Sequence, residues 1–468
     1  MDPTVTEPGV AEEQAADDDR TPVSGTDITD PAPRPARTFP SLQLFSSIVI
    51  VGGTMLFLLA TLHPGLIFKN NTPTGGDMGA HVWGPAFLRD NLLSHFRLTG
   101  WSMDWYSGFP MYRFYMVVPA LFIVLLDVVL PYGIAFKLIA VVGIIALPLC
   151  AWLFGRLARF AYPVPELFAL AATVFLYDDS FTIYGGNIAS TMAGEFSFSI
   201  ALALAVLGLG FLARGLDSGK YRSTAAVLIA LSALCHGIVL IFVFGGAAVM
   251  VLLHVGKRRL VFGVTTVGAA VLLSAFWVFP FLTAHKYMTD MKYEARPSGA
   301  ADSFWDMYFP HTQFWDILVM SLALVGFAAA ILRRKVIGVW LGVMMIILFI
   351  GVYVTRESLP VIGLLWNPRL LPFLYLCRYF LAMLGVWAIA SVFVRLVMDE
   401  RGTAADAPAS VTATSLARNA VAWTVAIGVL CIVGFRFQQL PGGSILTRAD
   451  GTAQYAWGPF RTKSDNKA

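Results

Sequence analysis

The stretch GGDMGAHVWGPAFLRDNLLSHFRLTGWSMDWYSGFPMYRFY, Gly75 to Tyr115, follows the first long apolar run of the chain and is polar, charged and aromatic at once. Apolar runs precede and follow it, which makes it a loop at a membrane surface. Runs long enough to cross about 30 Å of hydrocarbon, which takes roughly 20 helical residues, recur from Leu42 to Phe437. In lipid they must be helices, because a helix satisfies its own backbone. A composition of 57% hydrophobic and 13% charged residues excludes an ordinary soluble enzyme.

Working outward from this loop, the basic residues set the topology. Arg34 and Arg37 precede the first run, and the other basic loops are Arg156/Arg159, Arg214/Lys220/Arg222, Lys257/Arg258/Arg259, Arg333/Arg334/Lys335 and Arg395/Arg401/Arg418. If Lys and Arg mark the cytoplasmic side, all of these lie inside. The spans that satisfy this rule are 42–62, 134–155, 163–177, 196–213, 223–236, 238–254, 260–283, 314–332, 336–354, 371–397 and 416–437. The expected fold is an all-α polytopic membrane protein with about eleven transmembrane helices, up to about thirteen. Its N-terminus is cytoplasmic and its C-terminus extracytoplasmic, in a multi-pass protein of the plasma (inner) membrane. Met116 to Pro131 is too short for a span, contains Asp127, and reads as a re-entrant or membrane-surface helix. The short spans 163–177 and 223–236 leave room for a cavity at the outer face.

The domain reading has three parts: an acidic disordered tail over 1–40, a transmembrane domain over 41–437, and an extracytoplasmic tail over 438–468 that reads as the start of a truncated domain. Gly402 to Ser415 reads as a flexible cytoplasmic linker. A formal charge of +4 spread over short loops gives no support for a nucleic-acid partner. Cys150, Cys235, Cys377 and Cys431 lie in apolar runs and read as packing residues. Loops for ATP hydrolysis, zinc proteolysis or thiol redox chemistry are missing from the sequence.

Chemistry therefore concentrates in four external segments: Gly75 to Tyr115, Tyr177 to Glu195, His285 to Trp315 and Thr355 to Arg369. In the first, Asp77 lies in a Gly-rich turn and His81 follows one helical turn later on the same face. The amphipathic stretch after it is expected to turn Val82, Phe87, Leu88, Leu92 and Leu93 to lipid and Arg89, Asp90 and His95 to water. Asp77 reads either as a functional carboxylate or as a helix cap.

The pattern Gly76-Asp77, His81, Gly100-Trp101, Asp104 and SGFPMYRFY resembles the GT-C superfamily of membrane glycosyltransferases. The bacterial group of 6-pyruvoyl-tetrahydropterin synthase-related membrane proteins is nearest, and the catalytic subunit of oligosaccharyltransferase is a more distant likeness. SGFPMYRFY stands in place of a Gly-x-Pro-x-x-x-Phe-Tyr-Pro-Pro stretch, and Val118-Pro119 where that group tends to have two prolines. The resemblance implies a first-loop carboxylate that acts as general base or helps to hold a divalent metal, a role that falls to Asp77.

Sugar transfer from a polyprenyl phosphate needs a carboxylate to take the acceptor's proton and cations to neutralise the departing phosphate. Asp178 and Asp179 are the expected auxiliary ligands, with Asp77, for a divalent metal such as Mg or Mn; a polar helix end is the alternative. Substrate contacts are expected from His81, Trp101, Glu195, His236, Arg369 and Arg378. Glu195 opens a span, His236 interrupts an apolar run, and Arg369 and Arg378 are the cations for a lipid phosphate. For each, a plain structural role is the alternative: dipole pairing, a backbone hydrogen bond, or snorkelling. His285, Lys286, Asp290, Lys292, Glu294 and Arg296 crowd a loop that reads as a solvated connector or a mobile cover.

The expected function is an enzyme of the EC 2.4 class, a glycosyltransferase that moves a sugar from a polyprenyl-phosphate lipid to a glycan, lipid or protein acceptor of the cell envelope. The rivals are a flippase or transporter of a lipid-linked saccharide and a non-catalytic GT-C-like scaffold that works with a partner subunit. The matched halves with interrupted helices typical of transporters are not evident in the sequence.

Overall fold

A computed structural model describes residues 41–62, 64–73, 77–105, 107–115, 117–181, 184–288, 305–355, 367–400 and 407–436. In chain order the helices are α1 (Leu42–Thr61), α2 (Pro64–Ile67), α3 (Met78–Phe87), α4 (Val118–Asp127), α5 (Tyr132–Leu157), α6 (Val164–Tyr177), α7 (Ile188–Ser190) and α8 (Phe196–Ser218). There follow α9 (Arg222–Cys235), α10 (Gly237–Leu253), α11 (Lys257–Ala284), α12 (Trp305–Tyr308), α13 (Gln313–Leu332), α14 (Val336–Val354), α15 (Leu371–Glu400) and α16 (Ala407–Cys431). Every expected span coincides with one of these helices. Among the described residues, eight helices are long and apolar enough to cross a membrane. The remaining three expected spans, now α6, α9 and α10, are shorter helices of 14, 14 and 17 residues.

Connectivity sorts the loops onto two faces. α6 and α13 each run between a basic turn and the layer that holds Asp178 and His311, which touch. α15 likewise runs from Arg369 toward Arg395. Asp77, Glu195 and Arg369 therefore lie at one face and the Arg- and Lys-rich turns at the other. α8 is the most enclosed of the long spans and α16 the most peripheral.

Close helix packing comes from small residues, as expected where lipid removes the hydrophobic drive between helices. A Cβ placed on Gly326 of α13 would lie 2.0 Å from the Leu381 carbonyl oxygen, and one on Gly385 of α15 would lie 2.0 Å from that of Leu322. The two backbones touch. Polar bonds dock α16 on α1 and on the turn before α6: Ser46 donates to Asn419 Oδ1 at 2.9 Å, as does Tyr162 at 2.8 Å.

Two expectations need correction. Phe87, Leu88 and Leu92 do not face lipid; they are buried with Met111, Tyr112, Val117 and Ala120 in a satellite core, because the ten-residue α4 folds back over that face. Arg89 and Asp90 are exposed as expected, and Arg89 also pairs with Asp127 of α4. The Gly402–Ser415 segment is not linker throughout, since α16 begins at Ala407 in an alanine-rich stretch that favours helix. The loop also ends in an antiparallel hairpin, β1 (Gly100–Ser102) and β2 (Phe109–Met111), in register Gly100↔Met111 and Ser102↔Phe109. The tails 1–40 and 438–468, and Asp290, Lys292, Glu294 and Arg296, lie outside the described residues.

Replacing Gly385 by Val forces α13 and α15 apart. Its thermal midpoint in detergent is expected to fall by the equivalent of at least about 1–3 kcal/mol, the usual cost of overpacking; an unchanged midpoint would contradict the close crossing.

Candidate functional site

Two interruptions of regular helix build the site. The chain leaves α7 through a π-helical turn, Thr191–Glu195, in which Gly194 sits at φ 127° and ψ −10°. That positive φ suits glycine. The approach of Asp77 also demands it, since a Cβ on Gly194 would lie 2.9 Å from Asp77 Cβ and 3.4 Å from His81 Cδ2. Asp77 N–H donates to the Ala193 carbonyl at 2.9 Å, so the two segments are tied by backbone. The second interruption is His236, extended between α9 and α10.

Glu195, 8% exposed, is where the two interruptions meet. Its Oε1 accepts Arg369 Nη2 at 2.5 Å, and its Oε2 lies 3.4 Å from His236 Nε2. The latter is an ion-pair distance without hydrogen-bond geometry, which leaves Oε2 without a hydrogen bond among the described residues. The Ile238 N–H donates to His236 Nδ1 at 3.3 Å, so in the neutral ring the proton sits on Nε2, toward Glu195. Beneath this pair the His236 ring meets Phe198, which stacks on Phe373, which stacks on Phe242 with centroids 4.2 Å apart. Arg369 Nε is buried and finds no acceptor among the described residues.

Asp77 precedes α3 as its N-cap residue, yet its side chain makes no capping hydrogen bond. Its carboxylate is exposed. His81 lies one turn on, enclosed by Phe196 and Tyr115, with Tyr115 Oη 3.4 Å from its Nε2. Removal from water pushes the His81 pKa below its ordinary value, against the raising influence of Glu195 and Asp77. Burial likewise raises the Tyr115 phenol well above its usual range, with Glu195 adding to the effect. Burial thus favours the uncharged form of both partners. Trp277 of α11 fixes Tyr115 by donating to the carbonyls of Tyr112 and Tyr115, both at 3.2 Å.

Asp77 and His81 open onto a cavity of about 260 Å³ whose wall includes Trp105, Phe109, Tyr112, Tyr115 and Phe196. On the approach to Asp77, Lys137 of α5 is fully buried and donates to the carbonyls of Leu66 and Lys69 and to Asn71 Oδ1 at 2.5, 2.5 and 2.7 Å. This staples the chain that leads into the site.

Five of the expected residues thus converge: Asp77, His81, Glu195, His236 and Arg369. The others go elsewhere. Trp101 is exposed on the hairpin and lies over Gly108 (φ +138°), while Trp105 and Phe109 take the cavity wall. Arg378 is 1% exposed, donates to the Tyr308 carbonyl at 2.8 Å and lies over the Tyr375 ring, so it holds α12 to α15 and does not face a lipid phosphate.

Asp178 belongs to a separate buried network. His311 Nε2 lies 3.0 Å from its Oδ1, Ser180 Oγ donates to Oδ1 at 2.6 Å and Tyr379 to Oδ2 at 2.8 Å, while His311 Nδ1 meets Asp316 Oδ1 at 2.9 Å. Asp179 is half-buried beside it. Both Asp178 oxygens are engaged, and among the described residues no three His, Cys, Asp or Glu side chains are grouped to hold a metal ion. The donor set expected at Asp178, Asp179 and Asp77 does not fit one. The network instead secures the loop into α7: Asn187 Nδ2 donates to the Asp178 and Phe181 carbonyls, and Asn187 Oδ1 caps Ser190 N–H. Sequence reading missed His311, Tyr115 and Lys137 as determinants. Apart from Asp316, five residues from His311, their partners lie 34 to 133 residues away, and no spacing signals such pairs.

A profile of the family described as 6-pyruvoyl-tetrahydropterin synthase related domain, a membrane protein, matches residues 105–438. Among solved structures, the oligosaccharyltransferase of Archaeoglobus fulgidus in its apo form superposes with a TM-score of 0.52 at 12% identity. The match covers 85% of this chain and 56% of that one, so this chain spans little more than half its length. At such identity the likeness is one of fold, and the fold is GT-C-like. No curated protein matches the chain.

Two predictions test this geometry. Gly194→Ala places a side chain at a strained φ and against Asp77, and is expected to cost about 1–3 kcal/mol in thermal unfolding; no loss would contradict the contact. For His311, burial lowers its pKa but its hydrogen bonds to Asp178 and Asp316 prevail and raise it from 6.5 to about 9. For Asp178, burial raises the pKa but the bond from His311 prevails, and the value ends below the ordinary one. The stabilisation from His311 is complete below about pH 6.5 and is lost as the pH climbs through about 9. Thermal midpoints of the wild type should decline across that window, and those of His311→Gln should be lower at pH 6.5 and flat across it.

Proposed function

The chain belongs to the family of 6-pyruvoyl-tetrahydropterin synthase-related membrane proteins, and from that premise we propose that it is a glycosyltransferase that takes its sugar from a polyprenyl phosphate. The observation that carries this reading is the Asp77 carboxylate, unused in capping its own helix and exposed at the mouth of an aromatic cavity. A carboxylate that does no structural work at such a place is suited to proton transfer.

In the proposed reaction the acceptor hydroxyl attacks the sugar's anomeric carbon and gives its proton to Asp77. The bond from that carbon to the phosphate oxygen breaks, and the phosphate leaves with the electron pair. Arg369 answers the developing charge; its buried Nε has no acceptor among the described residues, and a phosphate oxygen supplies one. Glu195, itself flanked by His236, holds the guanidinium in place at low dielectric, where a fixed charge acts strongly. Tyr115 and His81 orient the acceptor side. The aromatic cavity receives the first isoprene units while the remaining tail stays in the bilayer.

The same reading places Asp77 on the extracytoplasmic face of the plasma membrane, with the Arg- and Lys-rich turns inside, and takes the acceptor to be a glycan, lipid or protein of the cell envelope. The likeness to oligosaccharyltransferase supports a lipid-linked donor without naming the sugar.

The test uses full-length protein in nanodiscs with radiolabelled polyprenyl-phosphate sugars and an envelope extract. Wild type is expected to transfer label and Asp77→Asn to lose about 10²-fold or more, the usual worth of a general base. Glu195→Gln should lower turnover by freeing Arg369. Transfer by Asp77→Asn at the wild-type rate would remove Asp77 from the chemistry. Lipid translocation in liposomes without transfer would favour the flippase.

A further inference from the structure

At the opposite face, the ends of α13, α15 and α16 and the turn between α5 and α6 enclose a second cavity, of about 230 Å³. Arg333, Lys335, Arg395 and Arg418 line it, together with Trp387 and Ser391. Its floor is open because Gly326, Ala329 and Ala330 present almost no side chain there. Two of the basic loops, far apart in sequence, thus supply cations to a single space.

Among the described residues, no carboxylate balances these charges: none of the four lies within ion-pair distance of one. Arg333 Nη2 is held by a neutral partner, donating to Ser391 Oγ at 2.9 Å, and Ser391 in turn donates to the Ala388 carbonyl. Glu166, in the first turn of α6, is turned to Ser47 and Trp152 and is absent from the cavity wall. Four like charges around one small cavity repel one another, and an anion of two or more oxygens relieves that repulsion. Guanidinium forks match phosphate oxygens in particular. Beside the cavity, Leu332 and Phe393 are 82% and 68% exposed, an apolar flank at membrane depth.

We propose that this cavity binds the phosphate of an anionic membrane phospholipid, whose acyl chains lie along the apolar flank of α13 and α15. The site is independent of the glycosyltransferase reading, because it lies at the far ends of the helices that follow Arg369 and His311. A basic pocket between helices at the membrane surface recognises a lipid head by charge and size, with the tails adding affinity that a free phosphate lacks.

The experiment is native mass spectrometry of the full-length protein in detergent with equal amounts of phosphatidylglycerol and phosphatidylcholine. The same series runs on Arg395→Gln, Arg418→Gln and their combination, with inorganic phosphate as competitor. Wild type is expected to retain phosphatidylglycerol in preference. Each substitution should lower retention about fivefold, the effect of one cation near an anionic lipid, and Arg418→Lys should restore it. Lys335→Gln is a second route should either arginine variant fail to fold. Inorganic phosphate at the lipid's concentration should not displace it. Equal retention of the two lipids, undiminished retention by the double variant, or displacement by phosphate alone would each overturn the proposal.

Discussion

In a membrane, a helix can be broken only where protein covers the break, because the backbone groups released have no water to meet. The rest of the site depends on such a break at Gly194. It falls at the head of the most enclosed span, where Asp77, Phe196 and the α7 loop surround it. The missing Cβ lets the first loop come close, and the π-helical turn presents Glu195 to Arg369 and His236. A regular helix through Thr191–Glu195 would keep its backbone bonds and lose the meeting of these five residues.

The supports of this break come from distant parts of the chain. The Asp178–His311–Asp316 network fixes the loop ahead of it, Lys137 fixes the segment that leads to Asp77, and Trp277 fixes Tyr115. In the first two, buried charge is retained by saturation: Lys137 has three oxygen acceptors, and His311 bridges two carboxylates. Fully satisfied networks of this kind specify one arrangement, since a partial one would strand a charge in low dielectric. The two faces of the protein therefore differ in kind. One gathers mixed charges around a break in the helices, the other gathers cations around a space between intact helix ends.

Sequence alone made the helices legible, because apolar runs in lipid admit one conformation and the basic loops agree with one alternation. It also marked Glu195, His236 and Arg369, since ionisable groups at membrane depth are costly and stand out. Asp77 and His81 were visible through their helical spacing and the loop resemblance. The failures have a common cause. Arg378, Asp178 and the face of Phe87, Leu88 and Leu92 were read against water or lipid, whereas protein from elsewhere in the chain meets them: Tyr308, His311 and α4. Such partnerships are tertiary, and no local pattern of residues encodes them. Trp101 and Trp105 differ by four positions, and only the hairpin register and the positive φ of Gly108 decide which one reaches the cavity.

The central claim is that the aromatic cavity beside Asp77 and the guanidinium of Arg369 together receive a polyprenyl phosphate. The most direct measurement is a structure of the protein in lipid nanodiscs with an unglycosylated polyprenyl phosphate added. The account predicts isoprene density against Trp105, Tyr112 and Phe196, with a phosphate oxygen within hydrogen-bond distance of Arg369. A polyprenyl phosphate bound elsewhere, with this cavity empty and Arg369 still paired to Glu195 alone, would contradict it.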